Sequence, residues 1–123
     1  MTHPSYAILY VQNPAASAAY YSRLLECDPV ESSPAFALFV LQGGMKLGLW
    51  ALDGVVPAAT LMGGGAELCL ALDDNEAVDA VHARWSGLAL PFLQPPQSMD
   101  FGYTFVAKDP DGHRLRVFAP CQP

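Results

Sequence analysis

Positive charge is scarce in this sequence, and the scarcity limits the partners of the protein. Six lysine and arginine residues stand against twelve aspartate and glutamate residues, which gives a formal net charge of −6. A protein that binds nucleic acid needs a basic surface for the phosphate groups. We therefore expect no nucleic-acid partner.

Long apolar runs and paired cysteines are also missing. No apolar stretch approaches the ~20 residues that a membrane-spanning helix requires. The opening MTHPSYAILY lacks the basic segment and apolar run of a signal peptide. Cys27, Cys69 and Cys121 lie far apart and form no C-x-x-C motif. We therefore expect a cytoplasmic protein with reduced thiols and no membrane association.

The order of strands and helices repeats along the 123 residues. Tyr6–Val11, YAILYV, is typical of a strand, and the next segment begins a helix with Asn13 as the N-cap and Pro14 in the first helical position. Further strands complete the order β-α-β-β-β, and the second half shows the same order. The chain is long enough for one compact domain and too short for two ordinary ones.

The expected architecture is a single α+β domain that covers residues 1–123. It consists of two βαβββ modules, residues 1–52 and residues 66–123. The linker between them, residues 53–65, contains a proline and three consecutive glycines, which are typical of irregular structure. Two curved sheets with helices on their outer faces would leave two inner faces to enclose a cavity.

An overlay of the two halves identifies equivalent positions. Tyr6 and Glu67 each stand seven residues before a helix start, at an offset of 61. Near the ends of the modules, GGMKLGLW overlays DGHRLRVF at an offset of 68, which matches Gly48 with Arg116. The difference of seven predicts an insertion in a proline-rich loop, QPPQSMD. A repeat of this length indicates duplication of one supersecondary unit.

The last predicted strand carries an unusual polar face. DPDG has the chemistry of a tight turn, and the residues that follow alternate between polar and apolar. Leu115 and Val117 therefore share the core face, while Arg114, Arg116 and Phe118 share the opposite face. Two arginines and an aromatic residue on an inner face require an explanation.

The sequence resembles a known superfamily. YAILYVQNPAASAAYYSRLLECDPV is similar to the first strand and helix of the glyoxalase/bleomycin resistance/extradiol dioxygenase superfamily, the vicinal oxygen chelate proteins. FVAKDPDGHRLRVF resembles the closing signature of that superfamily. The resemblance covers essentially the whole chain and implies the vicinal oxygen chelate fold, with curved mixed sheets around a cavity. Its modules pair within one chain or across a dimer, and both arrangements stay open here.

The resemblance also implies where a metal would be held. In enzymes of this superfamily, inner-face residues of four equivalent strands bind a divalent metal, and the matching positions here are Tyr6, Gly48, Glu67 and Arg116. Arginine has no acceptor lone pair and keeps its positive charge, and glycine has no side chain. Only Glu67 remains a plausible ligand, and one carboxylate does not make a metal site. We therefore expect no metal and no cofactor.

Glu67 and Arg116 occupy positions that converge on one metal in those enzymes, so we expect the two side chains to pair. Two interpretations stay open: the pair only neutralises two buried charges, or one or both residues contact a polar group of a ligand. Trp50 is the second feature. A glycine at position 48 would leave space beside the indole for a stacked planar guest, although core packing of Trp50 is the alternative.

The metal-ligand positions and the segment LGLW make the chain similar to the metal-free, drug-binding branch of the superfamily, in particular to phenazine antibiotic resistance proteins. The favoured hypothesis is non-catalytic binding of a small planar aromatic compound, phenazine- or bleomycin-like, by a homodimer. The alternatives are a glyoxalase- or dioxygenase-type metalloenzyme or lyase with an atypical metal site, and a structural paralogue. Tyr10 is a further candidate for the wall of the cavity. Met99, Phe101 and Tyr103 are assigned to the inserted loop. The candidate ligand-binding residues are Trp50, Arg116, Glu67, Tyr6, Gly48, Phe118, Tyr103, Met99 and Phe101.

Overall fold

The computed structural model describes residues 2–61 and 63–121. Met62, which falls in the expected linker, lies outside the described residues. The chain divides into two compact units, Met1–Gly63 and Gly64–Pro123. We describe each unit by itself.

Both units have the order β-α-β-β-β, so the expected α+β class with two βαβββ halves is confirmed. The finer boundaries, with modules at residues 1–52 and 66–123 and a linker at residues 53–65, stay a prediction, as does the enclosed cavity. Among the helices that the structure describes, none combines the length and the apolar character needed to cross a membrane.

The first unit packs one helix against a four-stranded sheet. Asn13 caps the helix because its side-chain oxygen accepts a hydrogen bond from the Ala16 N–H at 3.2 Å. Pro14 occupies the first helical position, where its missing N–H costs no hydrogen bond. The elements are β1 (Tyr6–Val11), α1 (Pro14–Leu25), β2 (Glu31–Ser32), β3 (Phe36–Val40), β4 (Lys46–Ala51) and a short 3-10 helix (Leu52–Gly54).

The first sheet has the strand order β1-β4-β3-β2, with β1 parallel to β4 and the other pairs antiparallel. Alternate residues of each strand join the helix in the core, which includes Val11, Tyr21, Leu24, Phe39, Leu47 and Leu49. The remaining positions form a surface that we call the helix-free face of the first unit. By register it contains Tyr6, Ile8, Tyr10, Phe36, Leu38, Val40, Lys46, Gly48 and Trp50.

The second unit repeats this arrangement. Asp74 caps its helix by accepting a hydrogen bond from the Ala77 N–H at 2.8 Å. Trp85 of that helix is fully buried and packs edge-to-face on Phe105, with 5.5 Å between the ring centroids. The elements are β5 (Glu67–Ala71), α2 (Asn75–Ser86), β6 (Phe92–Met99), β7 (Gly102–Lys108) and β8 (Arg114–Pro120).

The second sheet has the strand order β5-β8-β7-β6, and β5 runs parallel to β8. Leu115 and Val117 are fully buried on the side of the helix, as expected. The opposite surface is the helix-free face of the second unit. By register it contains Glu67, Cys69, Ala71, Gln94, Gln97, Met99, Thr104, Val106, Lys108, Arg114, Arg116 and Phe118.

Strand register reproduces the overlay of the two halves. Tyr6 pairs with Lys46 in the first sheet, and Glu67 pairs with Arg114 at the equivalent place in the second. Both offsets read from the sequence, 61 and 68, are therefore those of the folded units.

The expected proline-rich insertion loop is wrong. QPPQSMD does not form a loop, because Gln94–Met99 belong to β6. By register Gln94 is the counterpart of Glu31 and lies 63 residues after it. The offset between the halves is thus 61 before the helices, 63 at Gln94 and 68 on the last strand. Most of the insertion therefore lies after Gln94 and lengthens the β6–β7 hairpin. Pro95 and Pro96 fall where the register of this pair shifts, and β6 is an edge strand, where a missing N–H is tolerated.

Candidate functional site

The helix-free face of the second unit carries a polar cluster centred on Arg116. The Arg116 Nε donates to Glu67 Oε1 at 2.8 Å and the Nη2 donates to Glu67 Oε2 at 3.0 Å, so the expected pairing of these two residues is confirmed. The Nη1 donates to Gln94 Oε1 and to Thr104 Oγ1, each at 3.2 Å. These contacts use four of the five N–H groups of the guanidinium and hold it in one orientation.

The Thr104 hydroxyl connects this cluster to the sheet. It is fully buried, accepts from Arg116 and donates to the Val117 carbonyl at 2.9 Å. The Arg116 side chain is 18% exposed and that of Glu67 is 28% exposed. The pair is therefore partly shielded from water, which strengthens its electrostatic interaction relative to a fully solvated pair.

Electrostatics keep both members of the pair charged. The pKa of Glu67 lies below its ordinary value because Arg116 hydrogen-bonds the carboxylate; partial burial opposes this, and the charges of Arg116 and Arg114 add to it. The pKa of Arg116 is raised because Glu67 accepts its hydrogen bonds. Neither group therefore has a pKa near neutrality, where a general acid or base works best.

Cys69 lies next to Arg116 in the strand register. Burial raises the pKa of the Cys69 thiol, the carboxylate of Glu67 raises it further, and Arg116 opposes both. A thiol with a raised pKa stays protonated at neutral pH and is a poor nucleophile.

Two phenylalanines and a methionine lie beside the cluster. Phe101 and Phe118 pack edge-to-face with ring centroids 5.9 Å apart, and the Arg116 guanidinium carbon lies 5.6 Å from the centroid of the Phe101 ring. The Gln94 amide donates to the Met99 sulfur at 3.3 Å. The assignment of Met99 to an inserted loop is wrong, because it is the last residue of β6, and Phe101 lies in the turn that follows.

Tyr103 lies on the other side of the second sheet from Arg116, and its assignment to an inserted loop is wrong. It belongs to β7, and its position in the pleat turns it toward α2, where its hydroxyl donates to Asp79 Oδ1 at 2.7 Å. This hydrogen bond raises the pKa of Tyr103.

Tyr103 instead borders a groove of about 570 Å³ at the start of α2. Two polar residues of its lining already have structural roles, because Asp74 caps α2 and the Tyr103 hydroxyl is bound to Asp79. The two helix-free faces, and not this groove, are therefore the candidate ligand-binding surfaces. The groove is lined by Asp74, Asn75, Glu76, Ser98, Met99, Gly102, Tyr103, Ala119, Pro120 and Cys121.

The helix-free face of the first unit is aromatic and mostly apolar. Trp50 is half-buried and packs edge-to-face with Tyr10, with 6.3 Å between the ring centroids. The Lys46 ammonium lies 5.0 Å from the centroid of the Tyr6 ring. Tyr6 and Ile8 remain 50% and 44% exposed, which is unusual for large apolar side chains.

The expected open space at Gly48 is wrong. Gly48 is buried, and a Cβ built on it would come within 2.7 Å of the tip of the Phe36 ring and 3.4 Å of Ile8. Phe36, which faces Trp50 across the β3–β4 pair, therefore fills the space beside the indole. Gly48 serves close packing of the Phe36 ring on the sheet.

Comparison with known proteins identifies the family. The family model of the Glyoxalase/Bleomycin resistance protein/Dioxygenase superfamily matches residues 3–117. The chain belongs to this superfamily. A curated relative, "Phenazine antibiotic resistance protein EhpR" from Enterobacter agglomerans, is 28% identical over 117 residues, which cover 93% of this chain and 89% of the relative.

Solved structures agree with this membership of the superfamily. A protein from Agrobacterium tumefaciens, solved by NMR in solution, is 53% identical, with a TM-score of 0.90 over 99% of this chain and 100% of that one. A glyoxalase-related enzyme from Fulvimarina pelagi is 20% identical, with a TM-score of 0.85 over 97% of this chain and 88% of that one. The chain has the vicinal oxygen chelate fold.

The residues at the superfamily's metal-ligand positions do not fit a metal. Both carboxylate oxygens of Glu67 accept hydrogen bonds from Arg116, and Gly48 has no side chain to offer. Within the described residues, no group of three or more histidine, cysteine, aspartate or glutamate side chains is arranged to hold a metal ion. We derive no chemistry through a metal, and the expected lack of one stays a prediction.

The sequence analysis missed Gln94, Thr104 and Phe36. Thr104 follows from hairpin register, because a residue opposite Phe118 must share the face of Arg116. Gln94 was not predicted because the segment that contains it was expected to form a loop. Nothing in the sequence indicated that the Phe36 ring turns over Gly48.

Proposed function

We propose that the protein binds a small planar aromatic compound, phenazine-like in shape, and holds it without chemical change. The observation that carries the proposal is the aromatic, helix-free face of the first unit, where Trp50 is half-buried and Tyr6, Ile8 and Tyr10 are exposed. Flat aromatic compounds gain both area burial and favourable ring contacts on such a surface. The relative EhpR, a phenazine antibiotic resistance protein, supports the same ligand class.

The second unit supports the non-catalytic part of the proposal. Glu67 and Arg116 bind each other through two hydrogen bonds, and their pKa values move away from neutrality. Such a pair is a rigid polar surface rather than an acid or base ready for proton transfer. We propose Glu67, Arg116, Phe118, Phe101 and Met99 as ligand contacts in this unit.

In the first unit we propose Trp50, Tyr6 and the surface packed over Gly48 as ligand contacts. Tyr103 is left out, because it faces α2. We further propose a cytoplasmic homodimer. The reduced thiols expected in the cytoplasm agree with the free cysteines Cys27, Cys69 and Cys121.

Calorimetric titration with an uncharged phenazine tests the proposal. Trp50→Ala is expected to weaken binding about tenfold or more, because stacking area and burial are both lost. The affinity of Trp50→Phe for the phenazine should fall between the affinities of Trp50→Ala and the wild type. Val30→Ala, which removes an exposed apolar side chain from a loop, is the control and should bind like the wild type.

Two results would overturn the proposal. One is that the wild type binds no planar aromatic compound. The other is that Trp50→Ala, shown to be folded by its circular dichroism spectrum, binds as tightly as the wild type. Calorimetry is preferred to fluorescence because the variant removes a reporter indole.

A further inference from the structure

Positive charge is concentrated on the helix-free face of the second unit. The chain has six basic and twelve acidic residues. Three of the six basic residues, Lys108, Arg114 and Arg116, occupy strand positions of this face, and Glu67 is the one acidic residue among those positions. Three positive charges against one negative charge make this face locally cationic in a chain whose net charge is −6.

The two arginines of this face differ in their surroundings. Arg116 has four of its N–H groups bound to protein acceptors and its charge balanced by Glu67. Arg114 is exposed, and across the described stretches of the chain its side chain makes no hydrogen bond or salt bridge, although its charge acts at longer range on Glu67 and lowers the pKa of that carboxylate. Arg114 stands opposite Glu67 in the register, but both oxygens of that carboxylate are directed to Arg116.

The neighbours of Arg114 increase the positive potential at its position. Lys108 lies directly across the β7–β8 pair from it, and like charges opposite each other on a sheet are unfavourable. Lys108 has contacts of its own, so Arg114 is the residue of this pair that we consider for ligand recognition. An anionic group bound here would give Arg114 charge-assisted hydrogen bonds that its side chain does not make to the described residues.

Flat surfaces for an aromatic body lie on the same face. Phe118 and Phe101 pack edge-to-face, and the guanidinium of Arg116 is held in one orientation by Glu67 and lies near Phe101. A planar guanidinium stacks readily on an aromatic ring. Arg114 lies two residues before Arg116 on β8, about 7 Å along the strand, so an anionic substituent at the edge of a stacked ring system would be within its reach.

We propose that Arg114 recognises the anionic group of the ligand, and that the ligand class is an aromatic carboxylate rather than a neutral aromatic compound. This inference rests on the proposed function and deepens it. Arg116 positions and stacks the ring system, while Arg114 supplies the selectivity for charge.

The test uses two probes of nearly equal shape, phenazine-1-carboxylate and its uncharged amide, in calorimetric titrations. The wild type binds the carboxylate more tightly than the amide. Arg114→Gln lowers the affinity for the carboxylate about tenfold, the size expected for one charge-assisted hydrogen bond at a partly exposed site. The same variant changes the affinity for the amide less than about twofold. Arg23→Gln, which removes the same charge from the exposed surface of α1, leaves both affinities unchanged.

Salt dependence gives a second, independent measure of the role of the Arg114 charge. Raising the salt concentration from about 0.05 M to about 0.5 M lowers the affinity of the wild type for the carboxylate. This salt dependence is smaller in Arg114→Gln. If Arg114→Gln weakens both probes equally, or neither, the inference fails while the proposed function stands. If the amide binds the wild type as tightly as the carboxylate, the inference fails in the same way. If neither probe binds, both proposals fail.

Discussion

At the scale of single residues, one guanidinium determines the character of the second unit. A metal site would need a side chain with a free lone pair at position 116, and the Arg116 guanidinium offers only hydrogen-bond donors. Arg116 also fixes Glu67 by donating hydrogen bonds to both of its carboxylate oxygens. The pair is a bidentate, charge-assisted interaction in a partly shielded position. Its contribution to stability must depend on the ionisation of Glu67.

Glu67→Gln is expected to lower the free energy of unfolding by about 1 kcal/mol at pH 7, because a neutral amide cannot accept two charge-assisted hydrogen bonds. The pKa of Glu67 is lowered by folding from its ordinary value of 4.5, so the ionic contribution is complete above that pH. It is lost as the pH falls through the pKa of the folded protein. Urea unfolding of wild type and variant across this pH range measures the difference.

Asp28→Asn is the charge-matched control, since Asp28 is exposed in a loop. This variant should change the free energy of unfolding little at any pH. The account of this pair is contradicted if Glu67→Gln is as stable as the wild type at pH 7. It is equally contradicted if the deficit persists unchanged at about pH 3, well below the ordinary pKa of a glutamate.

At the scale of elements, the sequence predicted the parts that depend on local pattern. The cap Asn13, the alternation along β8 and the repeated order all follow from spacing that the structure reproduces. Pairing of Glu67 with Arg116 was predictable only because the repeat aligned their strands with equivalent positions of the superfamily.

The continuation of β6 through Pro95 and Pro96 to Met99 was not predictable, because prolines normally end strands. Pro95 and Pro96 are accommodated in β6 by a shift of register at the sheet edge, which depends on tertiary pairing. The filling of the space at Gly48 by the Phe36 ring likewise depends on a cross-strand contact that sequence spacing does not reveal.

Gly102 gives the hairpin a direct test. It begins β7 with φ of +149°, and a Cβ there would overlap the Ala119 carbonyl oxygen, which is backbone and cannot move aside easily. Gly102→Ala should therefore lower the free energy of unfolding by about 2–3 kcal/mol. Gly65→Ala is the control, because a Cβ at Gly65 meets nothing within 4 Å. Equal stability of the two variants in urea unfolding would show that the hairpin does not have this geometry.

At the scale of the whole molecule, the chain is a duplicated unit whose two helix-free faces have diverged. The first unit presents an aromatic and apolar surface, and the second presents a cationic cluster with three apolar neighbours, Met99, Phe101 and Phe118. Divergence of this kind agrees with a superfamily in which one fold carries many functions.

Exposed apolar side chains on the first face also support the proposed homodimer. Tyr6, Ile8 and Val40 are 50%, 44% and 46% exposed. Sedimentation at micromolar concentration should give a mass near twice 13.2 kDa. Ile8→Asp should shift the protein toward the monomer, whereas Val56→Asp, at a more exposed apolar residue of the linker, should not. A monomeric wild type would contradict the proposed homodimer.

We propose that the protein binds a planar aromatic compound and releases it unchanged. Native mass spectrometry of the purified protein after incubation with phenazine-1-carboxylate tests this directly. The account predicts a stoichiometric complex whose added mass is that of the intact compound, and full recovery of that compound after denaturation of the protein. The absence of a complex, or conversion of the compound to a product of different mass during the incubation, would contradict the account.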